Sequence, residues 1–181
     1  MATIISVGSL FYSAILGVNA EFDELLLKSR GDRLVLSTQL TNCFSDDLDR
    51  IFSSGKEVKI TFMVQVLDKV KGKLVQETAF YHSIRFSLIE KVYTVHLSEI
   101  EEDRYGLTLE EAKNLIVEIE EYFVISENLL QDRGLYEVKI TASMGKIFLP
   151  GMDEKTNLMF YWNSLKPTVS SDSFTKNIFR E

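Results

Sequence analysis

The chain is organised by a period of two. Leu34, Leu36, Thr38 and Leu40 alternate with Val35, Ser37, Gln39 and Thr41, the pattern of a strand with one buried face. The clearest run comes next: Val58, Ile60, Phe62, Val64 and Val66 point one way, while Glu57, Lys59, Thr61 and Gln65 point the other. Leu74 to Ile89 repeats it as one long or bent strand, with Phe80, His82, Ile84, Phe86 and Leu88 on one side. Strands are also predicted over Phe22 to Lys28, Val92 to Leu97, Tyr122 to Ser126, Tyr136 to Ala142, Lys146 to Leu149 and Asn157 to Ser164. Arg30-Gly31-Asp32 reads as a hairpin turn, Lys69 to Lys73 as a basic turn and Glu90-Lys91 as a tight reversal.

Helical spacing interrupts this pattern in a few places. Ser45 is placed to cap a short helix that buries Leu48, Ile51 and Phe52 and stops at Gly55. Thr108 and Glu111 form a capping box, followed by the stripe Leu109, Ala112, Leu115, Ile116 and Ile119. Asn128 to Gln131 reads as a helical turn closed by Gly134, Ser98 to Gly106 as an acidic loop, and Lys166 onward as a loose polar tail. Connections of hairpin length imply antiparallel pairing. The expected fold is a mostly β, antiparallel β-sandwich of about eight or nine strands, with one main α-helix packed at a side or end. It occupies residues 21–165, with 166–181 as the tail.

The first twenty residues differ from the rest. Met1 to Ala20 carry no charged side chain, and Ile4 to Leu16 are apolar with small interruptions. Val18 and Ala20 occupy the small-residue positions before a signal-peptidase cut, so residues 1–20 read as a signal peptide, although no Lys or Arg marks its start. The alternatives are a retained membrane anchor, or a buried N-terminal element of a cytoplasmic protein. After cleavage no stable membrane span is expected.

Composition narrows the function classes. With 181 residues, 45% hydrophobic and 26% charged, the chain is one folded domain. A net charge of -7 argues against nucleic acid as a partner. A single cysteine excludes an intrachain disulfide and any multi-cysteine zinc site, and Cys43 is expected to be a buried structural thiol. Two histidines, His82 and His96, make a poor metal centre without a third ligand. No metal and no cofactor is expected. Ser143 and Lys146 have the Ser-x-x-Lys spacing of penicillin-recognising enzymes, but they lie on a strand and a glycine turn rather than on one helix face. The acidic run Glu99 to Asp103 and the later glutamates read as a solvated face. No catalytic motif is recognisable. The residues offered for ligand contact are Phe80, His82, Phe86 and Trp162, lining a gap between sheets.

The order of these landmarks resembles the bacterial family called domain of unknown function 4390. The matching pieces are Gly31-Asp32-Arg33-Leu34-Val35-Leu36, the helix ending at Gly55, the strand Val58 to Val66, and Arg85 to Val95. The Thr108 helix, Leu149-Pro150 and Trp162-Asn163-Ser164 complete the series. The resemblance implies an exported, strand-rich envelope protein with no established activity, from which no catalytic residues carry over, and hints at a signalling or envelope partner. The expected function is that of a non-enzymatic periplasmic β-sandwich that binds a protein partner. A carrier or sensor of a small apolar ligand is the alternative, and an envelope enzyme acting on glycans the second.

Overall fold

The computed structural model describes residues 17–149 and 151–180. Residues 1–16, which hold most of the expected export segment, lie outside them. Among the described residues, twelve strands and two α-helices follow in order: β1 (Glu21–Phe22), β2 (Leu26–Arg30), β3 (Arg33–Thr41), α1 (Asp46–Phe52), β4 (Val58–Asp68), β5 (Lys73–Phe86) and β6 (Tyr93–Leu97). Then come β7 (Glu102–Leu107), α2 (Leu109–Val117), β8 (Glu118–Ser126), β9 (Tyr136–Met144), β10 (Lys146–Phe148), β11 (Lys155–Asn157) and β12 (Thr168–Ser170).

The strands form an antiparallel sandwich. The larger sheet has six strands in the order β12-β9-β4-β5-β6-β7. In the smaller sheet, β3 pairs with β1 and β2 along one edge and with β8 along the other. The hairpin β10-β11 stands apart. Alternation places Val58, Ile60, Phe62, Val64 and Val66 of β4 inside, each at most 2% exposed, against Leu34, Leu36 and Leu40 of β3 in one continuous core. Aromatic contacts bridge the sheets: Phe22 lies 6.4 Å from Phe62, and Phe80 lies 4.1 Å from Tyr122. Among the described residues no helix is long and apolar enough to cross a membrane.

Both predicted helix starts are present. Ser45 Oγ accepts from Leu48 N, and Thr108 and Glu111 make the reciprocal capping box. The end of α2 differs from expectation. The helix stops at Val117, and Glu118 is already extended. Ile119, expected on the helical stripe, is instead a buried residue of β8 opposite Thr38. No glycine is available to turn the chain at this point, and the free edge of β3 takes up the backbone directly.

Three further segments depart from the expected pattern. The acidic loop is in part the edge strand β7, paired to β6. Solvent reaches both of its faces, so it shows no alternation to read. Asn157 to Ser164 is not a last strand. Leu158 to Trp162 form a 3₁₀ turn that buries Leu158, Met159, Tyr161 and Trp162 and leaves Phe160 55% exposed. Burial spaced by three and four residues is a helical signal. Asn163, at φ 50°, ends the turn. Beyond Lys166 the polar segment is held to the fold: β12 pairs with β9, and Phe174 packs 5.9 Å from Tyr136. The backbone groups of β9 supply the partners that the sequence of the tail does not advertise.

Residues 17–20 also belong to the packed structure. Val18 N donates to the Tyr161 carbonyl at 2.9 Å, and Asn163 Nδ2 donates to Asn19 Oδ1 at 2.7 Å. Val18 and Ala20 pack against the core.

Deleting residues 166–181 removes β12 and uncovers Tyr136, Val138 and Ile140 along β9. We expect a stability loss of about 3 kcal/mol, from the lost burial of Phe174 and the lost strand pairing. Urea unfolding of the two chains measures it, and equal midpoints contradict a structural role for the tail.

Candidate functional site

The sandwich opens where β8 passes the turn that precedes β7. A depression of about 460 Å³ lies there between Ala79 and Phe80 of β5, Ser98 to Ile100 of the turn, Arg33 of β3 and Glu120 to Phe123 of β8. Four consecutive residues of one strand line it because β8 is irregular. Its pairing with β3 slips twice, and Glu121 has a positive φ of 45°. Bulges of this kind twist a strand and re-aim its side chains.

The floor is aromatic. Phe80 is 5% exposed and stacks between Phe62, at 5.1 Å, and Tyr122, at 4.1 Å. The Tyr122 hydroxyl donates to Thr78 Oγ1 at 3.0 Å and fixes that ring. At the rim, the Arg33 guanidinium lies 4.6 Å from the centre of the Phe123 ring. Such contacts favour a cation on an aromatic face.

Three carboxylates line the same depression. Glu121 is paired with Arg30, and that hydrogen bond and charge hold it below the usual carboxylate range. Glu120 makes no ion pair among the described residues. Glu99 is the most constrained. Its Oε1 lies 2.9 Å from Nε2 of His82, a residue with no exposed surface. Burial pushes the Glu99 carboxyl up, yet the bond from His82 and the nearby His82 and His96 charges bring it net below its ordinary value. Glu99 Oε2 is buried and has no hydrogen-bond partner among the described residues. The other ring nitrogen of His82, Nδ1, lies 3.1 Å from the Ile116 carbonyl at the end of α2.

Hydrolysis between two carboxylates needs one of them kept protonated as general acid, its pKa raised. Glu99 and Glu121 are both shifted the other way. No group of three His, Cys, Asp or Glu side chains among the described residues could hold a metal ion. On the outer face of the larger sheet, a shallower depression of about 260 Å³ includes Glu57, Ser83, His96 and Asp103. His96 Nδ1 meets Asp103 Oδ1 at 2.9 Å, but Ser83 donates its hydroxyl to Glu57 at 2.9 Å. Serine and histidine are strand partners there, with the serine proton directed elsewhere.

Of the residues offered from the sequence, Phe80 lines the depression beside β8 and His82 lies beneath it. Phe86 packs 4.7 Å from Tyr93 near the other end of β5. Trp162 is 1% exposed, with Nε1 donating to the Cys43 carbonyl at 2.8 Å. Those two do not line the depression. Glu99, Glu120, Tyr122 and Phe123 were not anticipated. The signal available was the loss of alternation across Glu118 to Phe123, where polar and aromatic residues run together. Cys43 is buried as expected, and burial pushes its thiol up to about 12, which leaves it unreactive.

Residues 18–164 match the family model described as Domain of unknown function (DUF4390), and the chain belongs to that family. No curated protein and no solved structure matches the chain.

Removing one partner of a buried pair leaves the other uncompensated. We therefore expect His82→Ala to lower stability by about 3 kcal/mol at neutral pH. Glu99 has a depressed pKa, so its contribution is present above the ordinary carboxylate range and fades as pH falls through its lowered value. Glu99→Gln should flatten that acid limb. Urea unfolding of the parent and both variants from neutral pH downward checks each statement, and an acid limb that Glu99→Gln leaves unchanged rejects the assignment.

Proposed function

We propose that this protein is a non-enzymatic, exported envelope protein that binds a protein partner, and that the depression beside β8 receives a basic side chain of that partner. The observation that carries the reading is the pairing of an aromatic floor with carboxylate valences left open: Glu120, and the buried Oε2 of Glu99. Lysine and arginine bring alkyl or planar surface for the rings and N–H donors for the oxygens. Arg33 on Phe123 is an internal example of the same contact. The uncharged segment Met1 to Ala20 supports the export part of the reading. The net charge of -7 supports a basic counterpart.

An apolar small ligand is less well served. Glu99, Glu120 and Glu121 would have to be desolvated around it, which is unfavourable without hydrogen bonds. The aromatic residues that would enclose such a ligand, Phe86 and Trp162, are packed elsewhere.

Ile100 is 56% exposed at the mouth of the depression and is the place for a photo-crosslinking side chain. In the native envelope we expect one partner to be captured from this position, and Glu120→Lys to weaken its binding about tenfold or more. Binding should also weaken with added salt, because an exposed charge contact is screened. If capture is unchanged by Glu120→Lys and by salt, the basic-side-chain reading fails.

A further inference from the structure

We infer that the proton held between His82 and Glu99 controls the wall of the depression, so that the site is intact only while His82 is an imidazolium. This inference rests on the depression being the binding site, and it supplies the regulation of that site.

The geometry follows from donor and acceptor identity. A backbone carbonyl can only accept, so Nδ1, 3.1 Å from the Ile116 oxygen, carries hydrogen. A carboxylate can only accept, so Nε2, 2.9 Å from Glu99 Oε1, carries hydrogen as well. The ring therefore holds two protons and a positive charge. It lies at the C-terminal end of α2, where the unpaired carbonyls favour a cation. The rings of Phe62 and Phe80 pack 5.1 and 5.6 Å from it and offer no alternative acceptor of comparable strength.

Arg33 of β3 and Glu120 and Glu121 of β8 line the same depression as Glu99, and Glu121 is paired with Arg30. On the turn, Glu99 is the one carboxylate bonded to His82 among the described residues. On β6, His96 acts on Glu99 through its charge and is itself bonded to Asp103 of β7. On α2, Lys113 is engaged by Asp49 and Glu110. Glu118 follows the helix and is exposed. From β4, Ile60 and Phe62 bring no charge.

Loss of the second ring proton turns Nε2 into an acceptor facing Glu99 Oε1. The carboxylate then has no donor on either oxygen, since Oε2 is already unpartnered. The Glu99 side chain is 15% exposed, so water is close to it. Ser98 is pinned to Tyr81 by two hydrogen bonds, and Glu101 has a left-handed φ of 52°. Glu99 and Ile100 lie between these two positions and form one wall of the depression, so loss of the bond to His82 releases that wall.

The test is ¹⁵N NMR of the full chain, read at the histidine rings and at the Ile100 and Phe123 amides, with His96 as the control ring. At neutral pH both His82 nitrogens should show imidazolium shifts. As pH rises, the two amides should shift with the same midpoint as the His82 ring, and Ile100 amide exchange should speed up about tenfold or more beyond its ordinary base dependence. Glu99→Gln can donate to a neutral ring, so it should return His82 to one proton at neutral pH and uncouple the amides from it. A neutral His82 in the parent overturns the inference, as do amides that ignore its midpoint or a ring unaffected by Glu99→Gln. None of these readings needs a partner. A charged, coupled ring with no captured partner rejects the binding function and leaves the proton-controlled wall in place.

Discussion

The register of β4 is the constraint from which most of the molecule follows. Its inner face is sealed and apolar from Val58 to Val66, with Asp68 buried at its end, and it pairs with β5 on one side and β9 on the other. A slip of one residue would turn Val58, Ile60, Phe62, Val64 and Val66 to solvent together, so the pairing is fixed by burial rather than by any single contact. With β4 fixed, Phe62 stands opposite Phe80 and Ile60 opposite His82. A histidine is thereby forced into the core, and its two ring nitrogens must find partners there. The carbonyl of Ile116 and the carboxylate of Glu99 are those partners.

That requirement links the sheets to the helix. The last carbonyls of α2 have no intrahelical partners, and one is taken by His82. The chain then enters β8 without a turn, since β3 offers an unpaired edge in the same place. The price of so abrupt a junction is an irregular strand: β8 slips against β3 and puts Glu121 in a left-handed conformation. The same irregularity exposes consecutive side chains, Glu120 to Phe123, and opens the depression. A buried polar ring and an open acidic mouth are thus two ends of one packing problem.

Much of the fold was legible because it is written in burial. β3, β4, β5 and β9 each have one face in the core, and the period of two reports it. Both caps were legible because they are local chemistry. The edges were not. β7 is wet on both faces, and β12 is too short to show a period, so each is a strand only because a neighbour has free backbone groups. Leu158 to Trp162 was misread because three aromatics in a row suggest a strand, while burial at 158, 159, 161 and 162 follows a helical spacing. The site was half legible. Phe80 and His82 share the inward face of a recognisable strand. Glu99, Glu120 and Tyr122 meet them only through the crossing of the two sheets, which no spacing along the chain records.

The open edges also bear on how a partner could be held. A free strand edge invites another strand. β7 carries Glu102, Asp103 and Arg104 in succession, and charged residues of this kind discourage strand addition. On β8 the outward carbonyl of Val124 is occupied by Gln76 Nε2 at 2.8 Å, and the bulged stretch before it breaks the regular spacing of donors and acceptors. Main-chain pairing is thus obstructed on both sides of the depression. What remains accessible is side-chain chemistry: ring faces, the Glu120 carboxylate and the wall that Glu99 holds in place. If the depression receives a basic side chain as proposed, charge and shape at one point would decide recognition there, rather than strand register. The family match over residues 18–164 takes in every residue of this depression and stops short of β12. The depression is therefore part of the matched domain itself, whereas the strand that closes β9 lies beyond the match.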